Sequence, residues 1–247
     1  MGSNSLQRPI QDHPSVWALA WPSMLTYAMF AIRQFSDTAM VGRLGTESIA
    51  ACGSATLVLY VIQSFGHGLA TAVNTRGAQA LSRVGPRESG IYCWQGVWLG
   101  LGAGFVFAQL HWGLEDLMQL FGHPFPVYLQ ELAYMRIAIW AVIPQFIAIS
   151  LANFYFAIRM PKIPLKLGIL HVAVNIVANL ILIFGIEGFV PAYGIVGAAW
   201  GTFIASWFYV FALLGVFVFS KKLEPYRPKK IGIQRIQFRS IVNIGFY

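Results

Sequence analysis

The sequence has few charged residues. Of its 247 residues, 11% are charged and only nine are Asp or Glu, whereas 57% are hydrophobic. A soluble globular domain usually has about 25% charged residues. The mean hydropathy of +0.63 agrees with this deficit. The composition therefore excludes an ordinary water-soluble domain and indicates an integral membrane protein.

The sequence also lacks the common motifs of catalysis. It has no H-E-x-x-H, P-loop or G-x-S-x-G motif, and no twin N-P-A boxes of a water channel. Its two cysteines, Cys52 and Cys93, lie in different apolar segments without metal-ligand spacing, so we expect small buried side chains rather than a disulfide or a metal site. We expect no enzyme activity and no cofactor.

Long segments without Asp, Glu, Lys or Arg are present instead. Six such runs are each long enough to cross a bilayer, which takes about 20 apolar residues. Barrel strands are much shorter and alternate in polarity. We therefore predict an all-α membrane protein with six transmembrane helices. The runs are 13–32, 48–75, 89–114, 137–158, 167–186 and 188–220.

The basic residues are distributed by loop. Fourteen of the 17 Lys and Arg precede the first span or lie around the second and fourth connections and after the sixth span, while the alternate connections contain only Arg43. Because cytoplasmic loops are enriched in Lys and Arg, we predict a multi-pass protein of the inner (cytoplasmic) membrane with its N-terminus in the cytoplasm. This distribution also argues against nucleic acid as the reason for the net charge of +8.

Four regions follow from these patterns. Residues 1–13 form a polar cytoplasmic tail, residues 14–221 the six-helix lobe, and residues 222–237 a basic cytoplasmic linker. Residues 238–247 become apolar again and then stop. We expect them to begin a truncated seventh helix.

Asp37 is the first candidate for function, because a carboxylate at membrane depth is costly and is seldom kept without a use. Arg33 precedes it by four residues and Gln34 by three, so all three share one helix face. Asp37 and Arg33 form either a structural ion pair or a site where Asp37 binds a coupling cation, H⁺ or Na⁺. Burial raises and a neighbouring cation lowers the pKa of a carboxylate, and the sequence leaves the balance open.

A second polar stripe lies in the fifth predicted span. His171, Asn175 and Asn179 recur every four residues and share one face. The stripe serves either as hydrogen-bonding contacts between helices or as the lining of a cation or substrate cavity. Thr202 adds a hydroxyl in the sixth span. At 1.5 Å per residue, Asp37, Asn175, Asn179 and Thr202 all lie within roughly 5 to 17 Å of the outer surface, where they can form one site.

Two more side chains are candidates for a proton relay or a cavity wall. We expect Arg136 to face inward toward a carboxylate, either Glu131 or Asp37, and a structural role is its default. His67 lies between Gly66 and Gly68, where we expect the second helix to be interrupted. His67 then serves as a cavity group or as a hydrogen-bond donor between helices.

Several segments resemble the MATE (multidrug and toxic compound extrusion) family. The similarity lies in LAWPSMLTYAMFAIRQFSDTAMVGRLGTESIAA, with its D-T-x-M-V-G-x-L-G ending, and in RGAQALSRVG, IRMPKIPLKLG, VNIVANLILIFG and YGIVGAAWGTF. These segments are spread from Leu19 to Phe203, so the resemblance extends over nearly the whole chain.

The resemblance implies a transporter that exports small cationic or amphipathic organic compounds in exchange for H⁺ or Na⁺. Family members have two six-helix lobes, so this chain resembles the N-terminal lobe, and a C-terminal lobe or a second copy would complete the substrate cavity. The resemblance places the cation site at Asp37, Asn175, Asn179 and Thr202. Asn179 stands where some members keep an aspartate, which weakens the expectation of Na⁺ and gives Asp37 the main role.

Two alternatives remain at this point. A lipid-linked oligosaccharide flippase of the same superfamily would line its cavity with more Arg and Lys than Arg33 and Arg136. A membrane scaffold or partner subunit would not transport at all.

Overall fold

The computed structural model describes residues 16–228 and 231–245, and this portion of the chain folds into eight α-helices joined by short turns. The predicted N-terminal tail, residues 1–13, lies outside the described residues. The helices are α1 (Val16–Val41), α2 (Thr46–Arg83), α3 (Pro86–Ala108), α4 (Leu114–Gln119), α5 (Phe125–Ala157), α6 (Lys162–Phe184), α7 (Ile195–Phe219) and α8 (Arg235–Gly245).

The all-α membrane fold predicted from composition is confirmed. Among the described residues, five helical segments are long and apolar enough to cross a membrane: α2, α3 with its extension to Gln119, α5, α6 and α7. The first predicted span, α1, is not among these five. Its 26 residues are sufficient in length, but Arg33 and Asp37 lower its hydropathy.

Helix α5 is the centre of the bundle, packed against α2, α3 and α7. Most of its apolar segment is buried inside the protein, whereas the other four apolar segments bury 33 to 39% of theirs. Gly96, Gly100 and Gly104 form a stripe at four-residue spacing on α3 and let α5 approach closely. A Cβ on Gly100 would lie 2.9 Å from the backbone of Phe146, and one on Gly104 would lie 2.7 Å from the Cα of Ile143. Plain helix packing therefore accounts for this stripe.

The expected interruption of the second helix is wrong. Helix α2 continues unbroken from Thr46 to Arg83. Gly66 instead permits close packing, because a Cβ there would lie 2.6 Å from the ring of Phe146 on α5. The glycine is needed for space between two helices and not for a break in one of them.

The segment after α7 runs along α3. Gln95 donates from Nε2 to the carbonyl of Gly232 and accepts from the amide of Gln234 through Oε1. Helix α8 begins at Arg235, three residues before the predicted start, and packs against α2 and α3. The predicted linker is thus held on the lobe by hydrogen bonds, where the structure describes it.

Candidate functional site

Asp37 is buried in the bundle with 3% of its surface exposed, and both carboxylate oxygens have partners. Arg33 Nη1 donates to Oδ2 at 2.7 Å, one helical turn earlier on α1. Asn179 Nδ2 on α6 donates to Oδ1 at 2.6 Å. The carboxylate therefore links α1 to α6, and the charge of Arg33 balances its own.

Oxygen atoms without partners lie on the residues that the sequence predicts to share a site with Asp37. Asn179 Oδ1, Asn175 Oδ1 and Thr202 Oγ1 are buried and have no hydrogen-bond partner among the described residues. Asn175 lies close enough to Asp37 to interact with its carboxylate. Buried oxygens usually have a partner, and hard cations prefer oxygen ligands. The carboxylate and these amide and hydroxyl oxygens are therefore suited to binding a proton or a small cation.

Gly201 explains why α6 and α7 can bring these groups together. A Cβ at this position would overlap Asn179 Oδ1 and would lie 3.2 Å from the Asn179 backbone nitrogen. Only glycine leaves room for the Asn179 side chain beside α7. Gly197, one turn earlier on α7, allows a similar approach, since a Cβ there would overlap the Leu182 carbonyl.

A cavity of about 390 Å³ lies beside Arg33, the partner of Asp37. Its wall is mostly aromatic and apolar, with amide, imidazole and hydroxyl groups between the rings. Among the described lining residues, which include no Asp, Glu or Lys, Arg33 is the only arginine. The wall consists of Tyr27, Phe30, Ala31, Arg33, Gln34, Thr56, Leu59, Tyr60, Gln63, His67, Tyr134, Gln145, Ala148, Ile149, His171, Thr202, Ser206 and Tyr209.

The structure brings together all but one of the candidate residues from the sequence. Arg33, Gln34, His67, His171 and Thr202 line the cavity. Asp37, Asn175 and Asn179 are not lining residues, and Arg33 connects them to the cavity through its contact with Asp37. The His171 ring stacks on Tyr209, with 4.9 Å between ring centroids.

The expectation for Arg136 is wrong. This side chain is half-exposed, and its Nη2 donates to Glu115, not to Glu131 or Asp37. The short helix α4, which the sequence patterns did not predict, places Glu115 beside it. Glu131 instead lies within 3.1 Å of His123 Nδ1 and is fully buried. Arg136 therefore does not belong to the cavity wall.

Sequence reasoning missed the amides and tyrosines of the cavity. Gln63 Nε2 donates to Gln145 Oε1 at 2.9 Å, joining α2 to α5 across the wall. A glutamine inside an apolar span was a usable signal, because a buried amide needs a partner. Tyr60 and Tyr134 gave no such signal, since aromatic residues in spans usually pack against other helices or lipid.

Apolar helices around a central helix, with a buried polar site beside an aromatic cavity, form the kind of lobe from which secondary transporters are built. The model of the MatE family matches residues 22–181. Because this match covers more than half of the chain, the chain belongs to the MatE family of transporters.

Curated relatives agree with this assignment. The probable multidrug resistance protein NorM of Rhodopseudomonas palustris is 31% identical over 86% of this chain and 44% of its own length. The NorM protein of Mesorhizobium japonicum is 29% identical over 88% of this chain and 47% of its own. The chain thus spans about half the length of the curated relatives it matches.

Solved structures show the same fold. The eukaryotic MATE transporter AtDTX14 superposes with a TM-score of 0.82 at 20% identity, over 92% of this chain and 50% of that one. A transporter of the MOP superfamily from Pyrococcus furiosus, whose binding pocket is described as having reverse polarity, gives 0.78 at 19% identity, over the same shares of the two chains.

Proposed function

We propose that the chain forms the N-terminal lobe of a multidrug exporter that moves small amphipathic or cationic organic compounds out of the cell in exchange for H⁺ or Na⁺. In this proposal Asp37, Asn175, Asn179 and Thr202 bind the coupling cation. The observation that carries the proposal is the buried carboxylate of Asp37, which is bonded to Asn179 and to Arg33 of the cavity wall, together with the partnerless oxygens of Asn175, Asn179 and Thr202.

The geometry favours a binding site over a structural ion pair alone. Asp37 and Arg33 neutralise each other, but an ion pair does not account for the unpaired oxygens of Asn175, Asn179 and Thr202. Buried polar atoms without partners cost free energy unless a ligand or water satisfies them. A cation that exchanges at Asp37 would use these oxygens and change the charge beside the cavity.

The cavity argues against the flippase alternative. A lipid-linked oligosaccharide carries phosphate groups, for which several Arg or Lys residues are the usual partners. Arg33 alone among the described lining residues is basic, and Arg136 lies elsewhere. The wall of aromatic, apolar and uncharged polar groups fits an amphipathic organic compound better. A membrane scaffold that transports nothing would not need a cavity lined with polar and aromatic side chains.

Reconstitution in lipid vesicles tests the proposal. The chain would be incorporated alone, and also together with the C-terminal half of the Rhodopseudomonas palustris relative, which supplies a second lobe. We expect an imposed H⁺ or Na⁺ gradient to drive accumulation of a fluorescent aromatic cation at least tenfold above empty vesicles when a second lobe is present. The proposal would be contradicted if the two-lobe vesicles accumulated the same amount of the cation whether or not an H⁺ or Na⁺ gradient was imposed.

The proposed topology has a separate test in cells. Exposed Glu187, between α6 and α7, is placed outside by the charge distribution, and exposed Lys222, after α7, is placed in the cytoplasm. We expect Glu187→Cys to react with a membrane-impermeant maleimide in intact cells, and Lys222→Cys to react only after permeabilisation. Native Cys52 and Cys93 are buried and serve as the background. The opposite labelling pattern would mean that the topology is the reverse of the proposed one.

A further inference from the structure

Residues 109–124 form a cap on the part of α5 that the charge distribution places outside. The cap consists of a short 3-10 helix (Gln109–Gly113), α4 and the turn that leads into α5. Three polar contacts join it to α5, and a histidine lies on each side of α4. The contacts are Trp140 Nε1 to His111 Nδ1 at 3.3 Å, Arg136 Nη2 to Glu115 Oε1, and His123 Nδ1 with Glu131 Oε2 at 3.1 Å.

Glu131 is the buried member of the last contact. It is fully buried, and its Oε1 has no hydrogen-bond partner among the described residues. Its Oε2 meets His123, whose side chain is 32% exposed and whose ring stacks on Phe121 with 5.7 Å between centroids. A charge inside a protein becomes strongly destabilising when its partner is removed. Glu131 therefore depends on His123 for its compensation.

The pair of Glu131 and His123 is compensated while it holds one titratable proton. On the imidazole this proton makes an ion pair, and on the carboxyl group it makes a neutral hydrogen bond. Once the proton is lost, the buried carboxylate keeps its charge beside a neutral imidazole. Histidine is the side chain that ordinarily changes its charge between pH 5 and 8, and His123 is exposed enough to exchange the proton with water.

The other charged groups around the cap keep their charge over this pH range. The start of α2 lies against α5 here, since Ser48 donates to Gln130 Oε1. Residues 96–108, the outer part of α3, contain no titratable side chain. The charged groups are exposed and come from α2, α4 and α5, and the remaining titratable group on α5 is a phenol: Glu47, Glu115, Asp116, Arg136 and Tyr128.

His111 is the second group of the cap that titrates near neutral pH. Its Nδ1 accepts the hydrogen bond from Trp140, so a proton on that nitrogen would remove the bond. Acid therefore weakens this contact, whereas it supplies the proton that the pair of His123 and Glu131 needs. The two histidines act with opposite sign, and a variant of each one separates them.

We propose that His123 and Glu131 form a proton-dependent latch, which holds the cap on α5 while the pair keeps its proton and releases the cap when the proton is lost. In the released state Glu131 reaches water, and the buried side chains of α4, Leu114 and Met118, become accessible. The latch makes the outer end of the lobe respond to the pH of the medium that it faces. It goes beyond the proposed function and uses neither Asp37 nor the cavity.

Thiol labelling of the purified 247-residue chain tests the latch. Met118 on α4 is fully buried, so Met118→Cys reports release of the cap. Leu120, just after α4, is 83% exposed, so Leu120→Cys corrects for the effect of pH on the thiol itself. The measurement is the ratio of the two labelling rates with a maleimide. We expect this ratio to rise roughly fivefold or more from pH 6 to pH 8, since losing one proton changes an equilibrium by at most about tenfold per pH unit.

Two further variants assign the effect to the latch. Glu131→Gln removes the titratable carboxyl group at nearly constant size and should keep the ratio constant within about twofold. His111→Gln removes the other imidazole and should keep the rise. If Glu131→Gln is not recovered folded, Glu131→Met, which leaves no polar atom to satisfy, supplies the same comparison. If Met118→Cys is not recovered folded, Leu114→Cys replaces it.

Native Cys52 and Cys93 are buried in the bundle and distinguish release of the cap from unfolding of the lobe. We expect both to stay unlabelled at the two pH values. A ratio that is constant or falls with pH, a rise that persists without the Glu131 carboxyl group, or labelling of Cys52 and Cys93 in parallel would each overturn the proposal. The test needs no gradient and no second lobe, so its outcome is independent of the proposed function.

Discussion

Replacing Asp37 with asparagine is expected to abolish gradient-driven efflux in the two-lobe vesicles, reducing it at least tenfold to the level of empty vesicles. The carboxamide cannot take up a proton and gives a metal cation no negative charge, so the cation loses its principal ligand. The neighbouring oxygens of Asn175, Asn179 and Thr202 remain but are neutral. The measurement is the initial rate of organic-cation accumulation under an imposed H⁺ or Na⁺ gradient.

The matched control is Asp116→Asn. Asp116 lies exposed on α4, so this control makes the same chemical change outside the site and should leave the rate within about twofold. Because Asp37→Asn leaves Arg33 unpaired, the double variant with Arg33→Gln is needed as well. It restores charge balance and should still show no coupling. Coupled efflux at the unsubstituted rate in either Asp37 variant would remove Asp37 from the cation site.

The contact of Arg33 with Asp37 could be anticipated because it depends on helix geometry alone. The four-residue spacing puts Arg33 next to Asp37, and the structure has that ion pair at 2.7 Å. Equal depth, counted at 1.5 Å per residue, only allowed Asn179 and Asp37 to meet, and the family resemblance placed both in one site; their side chains are bonded at 2.6 Å. In a regular helix the spacing of residues along the sequence determines which side chains share a face, and this holds over the whole width of a membrane.

The cavity and the partner of Arg136 could not be anticipated in the same way. Gln63 and Gln145 are 82 residues apart, and only the packing of α2 on α5 brings them together. Glu115 reaches Arg136 because six residues, Leu114–Gln119, form a short helix that no long apolar period signals. Contacts of this kind depend on how helices assemble, which periodicity within one segment does not determine.

The packing partners of the glycines are also set by how the helices assemble. The four-residue spacing of glycines on α3 is typical of close helix packing, and Gly100 and Gly104 do lie against the backbone of α5. Gly66 and Gly201 gave no sign of which neighbour each one accommodates. Gly66 admits the ring of Phe146 and Gly201 admits the side chain of Asn179. Gly215, also in a span, has no neighbouring atom within 4 Å, so only the structure shows which glycines mark a close approach and to which partner.

Gly201→Ala is expected to disable the cation site while adding only a single methyl group. The added Cβ would overlap Asn179 Oδ1, so Asn179 must move away from α7 or the two helices must separate. Either movement breaks the bond from Asn179 Nδ2 to Asp37 and leaves a carboxylate oxygen without its partner. Overpacking of this kind usually costs about 1–3 kcal/mol in stability. We expect gradient-driven efflux to fall at least tenfold.

Gly215→Ala is the control on the same helix. A methyl group added at Gly215 would have no neighbouring atom within 4 Å, and alanine favours a helix more than glycine does. Two quantities are measured for each purified variant, the thermal unfolding temperature and the initial rate of efflux. We expect Gly201→Ala to lower both. We expect Gly215→Ala to leave the rate unchanged and the unfolding temperature unchanged or slightly raised. A Gly201→Ala chain with unchanged stability and transport would mean that the contact of α6 with α7 at Asn179 does not hold the cation site in place.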